Sequence, residues 1–128
     1  MTDEAVRIAM WSGPRNLSTA MMRSWGQRSD TVVMDEPLYA AYLATTGLDH
    51  PGAAEVIAAG PTDPREAIAA CLAPLPDGRA VSYQKHMAHH LWGDLLPDWD
   101  EPWWAHLRHG MLLRDPRRVL ASYTDVRE

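Results

Sequence analysis

The stretch Arg7-Ile8-Ala9-Met10-Trp11-Ser12-Gly13-Pro14-Arg15-Asn16-Leu17-Ser18-Thr19 carries the first structural decision. Arg7 to Trp11 is a short apolar run, and Ser12-Gly13-Pro14 is the punctuation that stops a strand. A loop and then a helix follow. Asn16 or Ser18 can cap that helix, Leu17, Met21, Met22 and Trp25 recur at helical spacing, and Gly26 supplies a stop signal. Thr31-Val32-Val33-Met34, β-branched and apolar, predicts a second buried strand ending at Asp35-Glu36-Pro37. Strand, helix and strand make a βαβ-type unit.

The same alternation continues outward. A short helix is predicted over 38–43, followed by a turn-rich stretch from Thr45 to Pro51. Asp63-Pro64-Arg65-Glu66 offers a cap, a proline at the first helical position and a glutamate at the third, ahead of Ala67-Ile68-Ala69-Ala70-Cys71-Leu72. Ala80 to Gln84 predicts a third strand after the Asp77-Gly78 turn, and Gly110 to Leu113 a fourth. Asp115 and Pro116 then open a helix through Val119, Leu120 and Tyr123. Strands alternating with helices mean an α/β fold with a mainly parallel sheet, and 128 residues suit one domain over 1–128. Hydrophobic residues make up 46% and charged residues 23%, so the chain should fold rather than stay disordered. A net charge of −5 disfavours broad nucleic-acid binding, which leaves any anion site local. The single cysteine, Cys71, can make no internal disulfide, and no window approaches the roughly 20 apolar residues of a membrane helix. A soluble protein in a reducing, cytoplasmic setting is expected.

In parallel α/β sheets ligands sit at the carboxyl ends of the strands. Three such ends carry polar residues: Ser12 to Thr19, Asp35-Glu36-Pro37 and Arg114-Asp115-Pro116. The first runs into a helix N-terminus, where free N–H groups and the helix dipole favour a phosphate. It is not a Walker A loop, because counting from Gly13 puts Ser18 at the second glycine position and Thr19 at the lysine position. Lys85 is the only lysine, and it sits in Lys85-His86-Met87-Ala88-His89-His90. A helix there would put His86 and His90 on one face, yet no H-E-x-x-H pattern or partner in register supports a metal. Trp99, Trp103 and Trp104 could line an acceptor pocket or pack over the sheet.

Arg114-Asp115-Pro116-Arg117-Arg118-Val119-Leu120-Ala121-Ser122-Tyr123, taken with Arg15-Asn16-Leu17-Ser18-Thr19, resembles the nucleotide-binding elements of sulfotransferases that use 3′-phosphoadenosine-5′-phosphosulfate. The resemblance implies a three-layer, P-loop-like fold, with this chain as the N-terminal portion of a larger domain or a reduced relative. It also implies a reaction: transfer of a sulfuryl group from that donor to a hydroxyl of a small-molecule acceptor, with no metal, nucleic acid or membrane involved. Gly13, Pro14, Arg15, Asn16, Leu17, Ser18 and Thr19 would hold the 5′-phosphosulfate, and Arg114 and Ser122 the 3′-phosphate. Arg15 would stabilise charge on the bridging oxygen, Glu36 would take the acceptor proton, His86 is the further catalytic candidate, and Lys85 or His86 would line the sulfate and acceptor pocket. Several positions depart from the family pattern. Leu17 stands where glycine is usual, Ala20 where one branch has an adenine-stacking tryptophan, and Lys85 is followed directly by His86 rather than spaced from a histidine by one residue. A glycine- and lysine-rich segment that closes over the 3′-phosphate is absent from the sequence. Two rivals remain open: a P-loop small-metabolite kinase, which would want a loop lysine, and a non-catalytic nucleotide-binding module. Sheet surface left without its usual cover predicts self-association or marginal stability.

Overall fold

The computed structural model describes residues 5–91 and 103–127. Four strands, β1 (Val6–Ser12), β2 (Thr31–Asp35), β3 (Val81–Met87) and β4 (Arg108–Leu112), form one parallel sheet in the order β2-β3-β1-β4. Five helices accompany them: α1 (Ser18–Gly26), α2 (Tyr39–Thr46), α3 (Ala53–Ala59), α4 (Pro64–Leu72) and α5 (Pro116–Arg127). The α/β class with a parallel sheet flanked by helices is therefore what the sequence alternation predicts. β1 and β3 are the inner strands, and the chain leaves β1 through α1 to reach β2 on the far side of β3. The order of strands thus reverses between β1 and β3, the place where open α/β sheets leave a crevice for a ligand. Ser12 pairs with both Met87 and Leu112, and Asp35 pairs with Lys85, so the polar strand ends share one edge of the sheet.

The two faces are covered differently. On one, Trp25 of α1 stacks on Tyr83 at 5.2 Å between ring centroids. On the other, Leu38, Ala41, Ala67, Ile68 and Cys71 pack with Ala9 and Trp11 to form the main core, which Trp103 and Leu107 join. α4 follows its signals closely: the Asp63 side chain accepts from the Arg65 N–H at 2.9 Å, with Pro64 at the first position. Burial pushes the Cys71 thiol up to about 12, which marks it as a packing residue and not a nucleophile.

The sequence reading needs correction in three places. β3 extends through Met87, so His86 lies in a strand and His90 in the short 3-10 turn Ala88–His90; the two do not share a helix face. Neither Asn16 nor Ser18 caps α1. Leu17 occupies the cap position without a side-chain bond, and Asn16 Oδ1 instead accepts from the Leu17 N–H at 2.8 Å. Helix α3 was not foreseen within the stretch that follows the turn-rich segment. Among the described residues no helix is long and apolar enough to cross a membrane.

Candidate active site

At the end of β3 the chain places its only lysine inside the protein. Lys85 is 8% exposed, and its ammonium has three polar neighbours. Nζ donates to Thr19 Oγ1 at 3.0 Å and pairs with Asp35 Oδ1 at 3.4 Å and Glu36 Oε2 at 3.5 Å. Consecutive residues of a regular strand point to opposite faces, so Asp35 and Glu36 could not both reach one ammonium in extended backbone. The left-handed conformation of Glu36, with φ 50°, breaks that alternation. A non-glycine residue in this region bears roughly 1–2 kcal/mol of strain. Its N–H still donates to the Lys85 carbonyl at 2.9 Å and its carbonyl accepts from the Tyr39 N–H at 3.1 Å, so ladder and helix start hold it from both sides.

Among the described non-glycine residues, the only other positive φ is at Arg15, with φ 57°, in the loop after β1. Strained backbone of this kind gathers at functional sites, and here both examples fall at the carboxyl edge. Asn16 clips the loop to β4 by donating from Nδ2 to the Leu112 carbonyl at 3.1 Å. Arg114 Nη1 donates to the Arg15 carbonyl. The Arg15 side chain reaches α5, where Nε donates to Ser122 Oγ at 2.9 Å and the guanidinium lies 5.9 Å from the Tyr123 ring centre. Arg15, Arg114 and Ser122 are therefore brought together, and Arg114 lines a cavity of about 380 Å3 with Gly13, Pro14 and Asn16.

Between these groups stands the N-terminus of α1. No side chain caps it and its first turn holds no acidic residue, in contrast to the Asp63-capped α4. Its first-turn N–H groups and positive dipole end remain available to an anion, with Ser18 buried in the first turn and Thr19 against Lys85. Leu17, by contrast, turns its side chain outward and is 72% exposed, so only its backbone can serve a ligand.

His86 is not brought to this cluster. It projects from the other face of the sheet, is fully buried, and stacks on Trp11 at 4.4 Å. Gln84 Nε2 donates to the Cys71 carbonyl at 2.8 Å and to Ser82 Oγ at 3.2 Å, so Gln84 Oε1 is left to accept from His86 Nε2 at 3.0 Å. Burial drives the imidazole down to about 3, which keeps it neutral. The ring is enclosed, and a strand buried on both faces lacks the alternation that would show this in the sequence.

Two further cavities open at this edge. One, of about 390 Å3, is walled by Trp11, Leu91, Trp103, Trp104 and Met111, with His109 at its side. Trp103 and Trp104 thus do line a cavity, while Trp99 lies outside the described residues. The other, of about 420 Å3, joins Asp35 and Glu36 to the apolar surfaces of α2 and α3. What the sequence reading underweighted is Lys85 as the centre of the cluster and Asp35 as its second carboxylate. A lone lysine directly after the predicted strand 80–84 is the available signal. Among the described residues no group of three or more His, Cys, Asp or Glu is arranged to hold a metal ion.

Two Arabidopsis thaliana proteins are similar over 93% of this chain: branched-chain-amino-acid aminotransferase-like protein 2, 34% identical over 123 residues, and branched-chain-amino-acid aminotransferase-like protein 1, 35% identical over 120 residues. The chain spans only 20% of the length of either relative. No solved structure matches it significantly. A family model described as the sulfotransferase domain matches residues 6–128, nearly the whole sequence, and the chain accordingly belongs to the sulfotransferase family.

Proposed function

We propose that this chain binds 3′-phosphoadenosine-5′-phosphosulfate and transfers its sulfuryl group to a hydroxyl of a small molecule. The observation that carries the reading is the Lys85 ammonium, held among Thr19, Asp35 and Glu36 at the uncapped N-terminus of α1. The residues fit the donor: one uncapped helix end for the 5′-phosphate, and a separate group of two guanidiniums and a hydroxyl for a second phosphate.

The first-turn amides of α1, with Ser18 and Thr19, receive the 5′-phosphate, and Gly13 to Leu17 shape the approach. Arg114, Ser122 and Arg15 take the 3′-phosphate. Lys85 replaces Arg15 as the cation beside the bridging oxygen, because the Arg15 Nε is engaged by Ser122 while Lys85 lies against Thr19. As the sulfur–oxygen bond to the 5′-phosphate breaks, charge grows on that oxygen, and one preorganised donor there is worth about 10²–10³ in rate. Glu36 accepts the proton from the acceptor hydroxyl as its oxygen bonds to sulfur. Asp35 holds the ammonium in place before the donor arrives. No role falls to His86. A cytoplasmic setting belongs to the same reading, in keeping with the buried free thiol of Cys71.

Calorimetric titration tests the proposal. Adenosine 3′,5′-bisphosphate should bind without Mg²⁺ and more tightly than ATP. Mg²⁺-dependent binding of ATP would support a kinase instead, and bisphosphate binding without any transfer would leave a nucleotide-binding module.

A further inference from the structure

The aromatic cavity and the cavity beside Glu36 differ in what they can do to a hydroxyl. In the aromatic one the polar side chain is His109, and both its nitrogens are engaged: Nδ1 accepts from Trp11 Nε1 at 2.9 Å, and Nε2 donates to the Trp104 carbonyl at 2.7 Å. Among the described residues, that cavity has no group free to receive a proton. The other is lined by Asp35, Glu36 and Tyr39 together with the apolar Ala40, Val56, Ala59 and Pro61. Its wall is fixed. A Cβ added at Gly60 would stand 2.7 Å from the Ala40 Cβ, so the end of α3 lies directly on α2.

Resting on the sulfotransferase reading, we infer that this second cavity is the acceptor site, that it selects an uncharged alcohol or phenol with an apolar body of one or two rings, and that Val56 and Ala59 set the size limit. Size and charge both lead there. A volume of about 420 Å3 stands near the small end of ligand pockets, which run from about 300 to 1,000 Å3. Around the reacting end, two carboxylates face one ammonium, leaving one net negative charge that repels an anionic acceptor. A cationic substituent set against Val56, Ala59 and Pro61 would find no counter-charge among those lining residues.

The test uses the full chain, 15N-labelled, saturated with adenosine 3′,5′-bisphosphate and titrated with three probes: 2-naphthol, 6-hydroxy-2-naphthoate and 6-(aminomethyl)-2-naphthol. The neutral probe should bind at least about tenfold more tightly than either charged one, the scale on which unpaired charge is rejected from an apolar wall. Its amide shifts should centre on Glu36, Val56 and Ala59. Ala59→Phe should weaken 2-naphthol by a similar factor and leave bisphosphate affinity unchanged, whereas Ala59→Ser should bind as the parent does. If the bulky variant fails to fold, Val56→Phe takes its place. Shifts centred on Trp103, Trp104 and Met111 would overturn the choice of cavity, and equal affinity for the naphthoate would overturn the charge selection. Failure of the bisphosphate itself to bind would count against the sulfotransferase reading, and the naphthol series without nucleotide would then still decide the cavity.

Discussion

Acidification from about pH 7.5 to about pH 5.5 should remove roughly 3 kcal/mol of folding stability, through two buried histidines. His86 is fully buried and His90 is 1% exposed, and each has an Nδ1 with no hydrogen-bond partner in the described protein. Burial drives both down to about 3, with His109 adding to the effect on His86, and His89, His86, His50 and Lys85 adding to the effect on His90. In the unfolded chain each returns to about 6.5. Below that value the unfolded state takes up protons that the folded state refuses, so stability is present above about pH 6.5 and declines as pH falls toward 3. The limiting slope is about 1.4 kcal/mol per pH unit for each histidine, and the interval from 7.5 to 5.5, centred on the unfolded value, yields about 1.4 for each. Asp30, held down to about 2 by Arg28, titrates well below the window. For a domain whose stability is about 5–15 kcal/mol this is a large fraction, worth about 10 °C in Tm. Urea unfolding followed by tryptophan fluorescence at stepped pH measures the slope directly, and imidazole C–H resonances of the folded protein report the two rings. A flat stability between pH 7.5 and 5.5, or His86 and His90 resonances that titrate near 6.5 in the folded protein, would refute the reasoning.

Other consequences are as direct. Gly60→Ala should destabilise by about 1–3 kcal/mol, because its Cβ would meet the Ala40 Cβ at 2.7 Å and neither group can turn away, whereas Gly110→Ala meets only the flexible end of Met10 and should cost less; paired urea melts compare them. Arg114→Ala should weaken adenosine 3′,5′-bisphosphate by about tenfold or more, the scale of a charge-assisted contact, while 5′-AMP changes little; equal losses for both would make Arg114 a support of the loop alone. Met111, Leu113 and Leu120 stand 68%, 86% and 67% exposed beside edge strand β4, so sedimentation velocity should show association that rises with concentration, and Leu113→Glu should reduce it.

How much of this was legible depended on whether the deciding interactions were local. Asp63-Pro64 announces α4 within four residues, and the structure uses the same atoms that the pattern names. The β-branched run at 31–34 and the Gly13-Pro14 break likewise mark β2 and the end of β1 without help from the rest of the chain. Helix α3 was hidden because Ala53 to Ala59 is only seven residues long and buries none of them, too short for a helical period to stand out. The end of β3 was misjudged for the opposite reason: an inner strand buried on both faces carries Gln84, Lys85 and His86 in a row, and their partners come from Cys71, Thr19 and Gln84, not from neighbouring helix turns. The residue types of the site could be read from the strand ends. Its division of labour could not, since a left-handed glutamate and an arginine turned toward α5 are set by tertiary contacts.

Single-turnover transfer of the sulfuryl group from 3′-phosphoadenosine-5′-phosphosulfate to 2-naphthol, in the parent chain and in Glu36→Gln, with bisphosphate affinity measured on both, bears most directly on the Lys85–Glu36 site. Glutamine keeps the shape and removes the proton acceptor, so transfer should fall by about 10²–10⁴ with bisphosphate affinity unchanged. Transfer at the parent rate in Glu36→Gln, with the bisphosphate still bound, would contradict it.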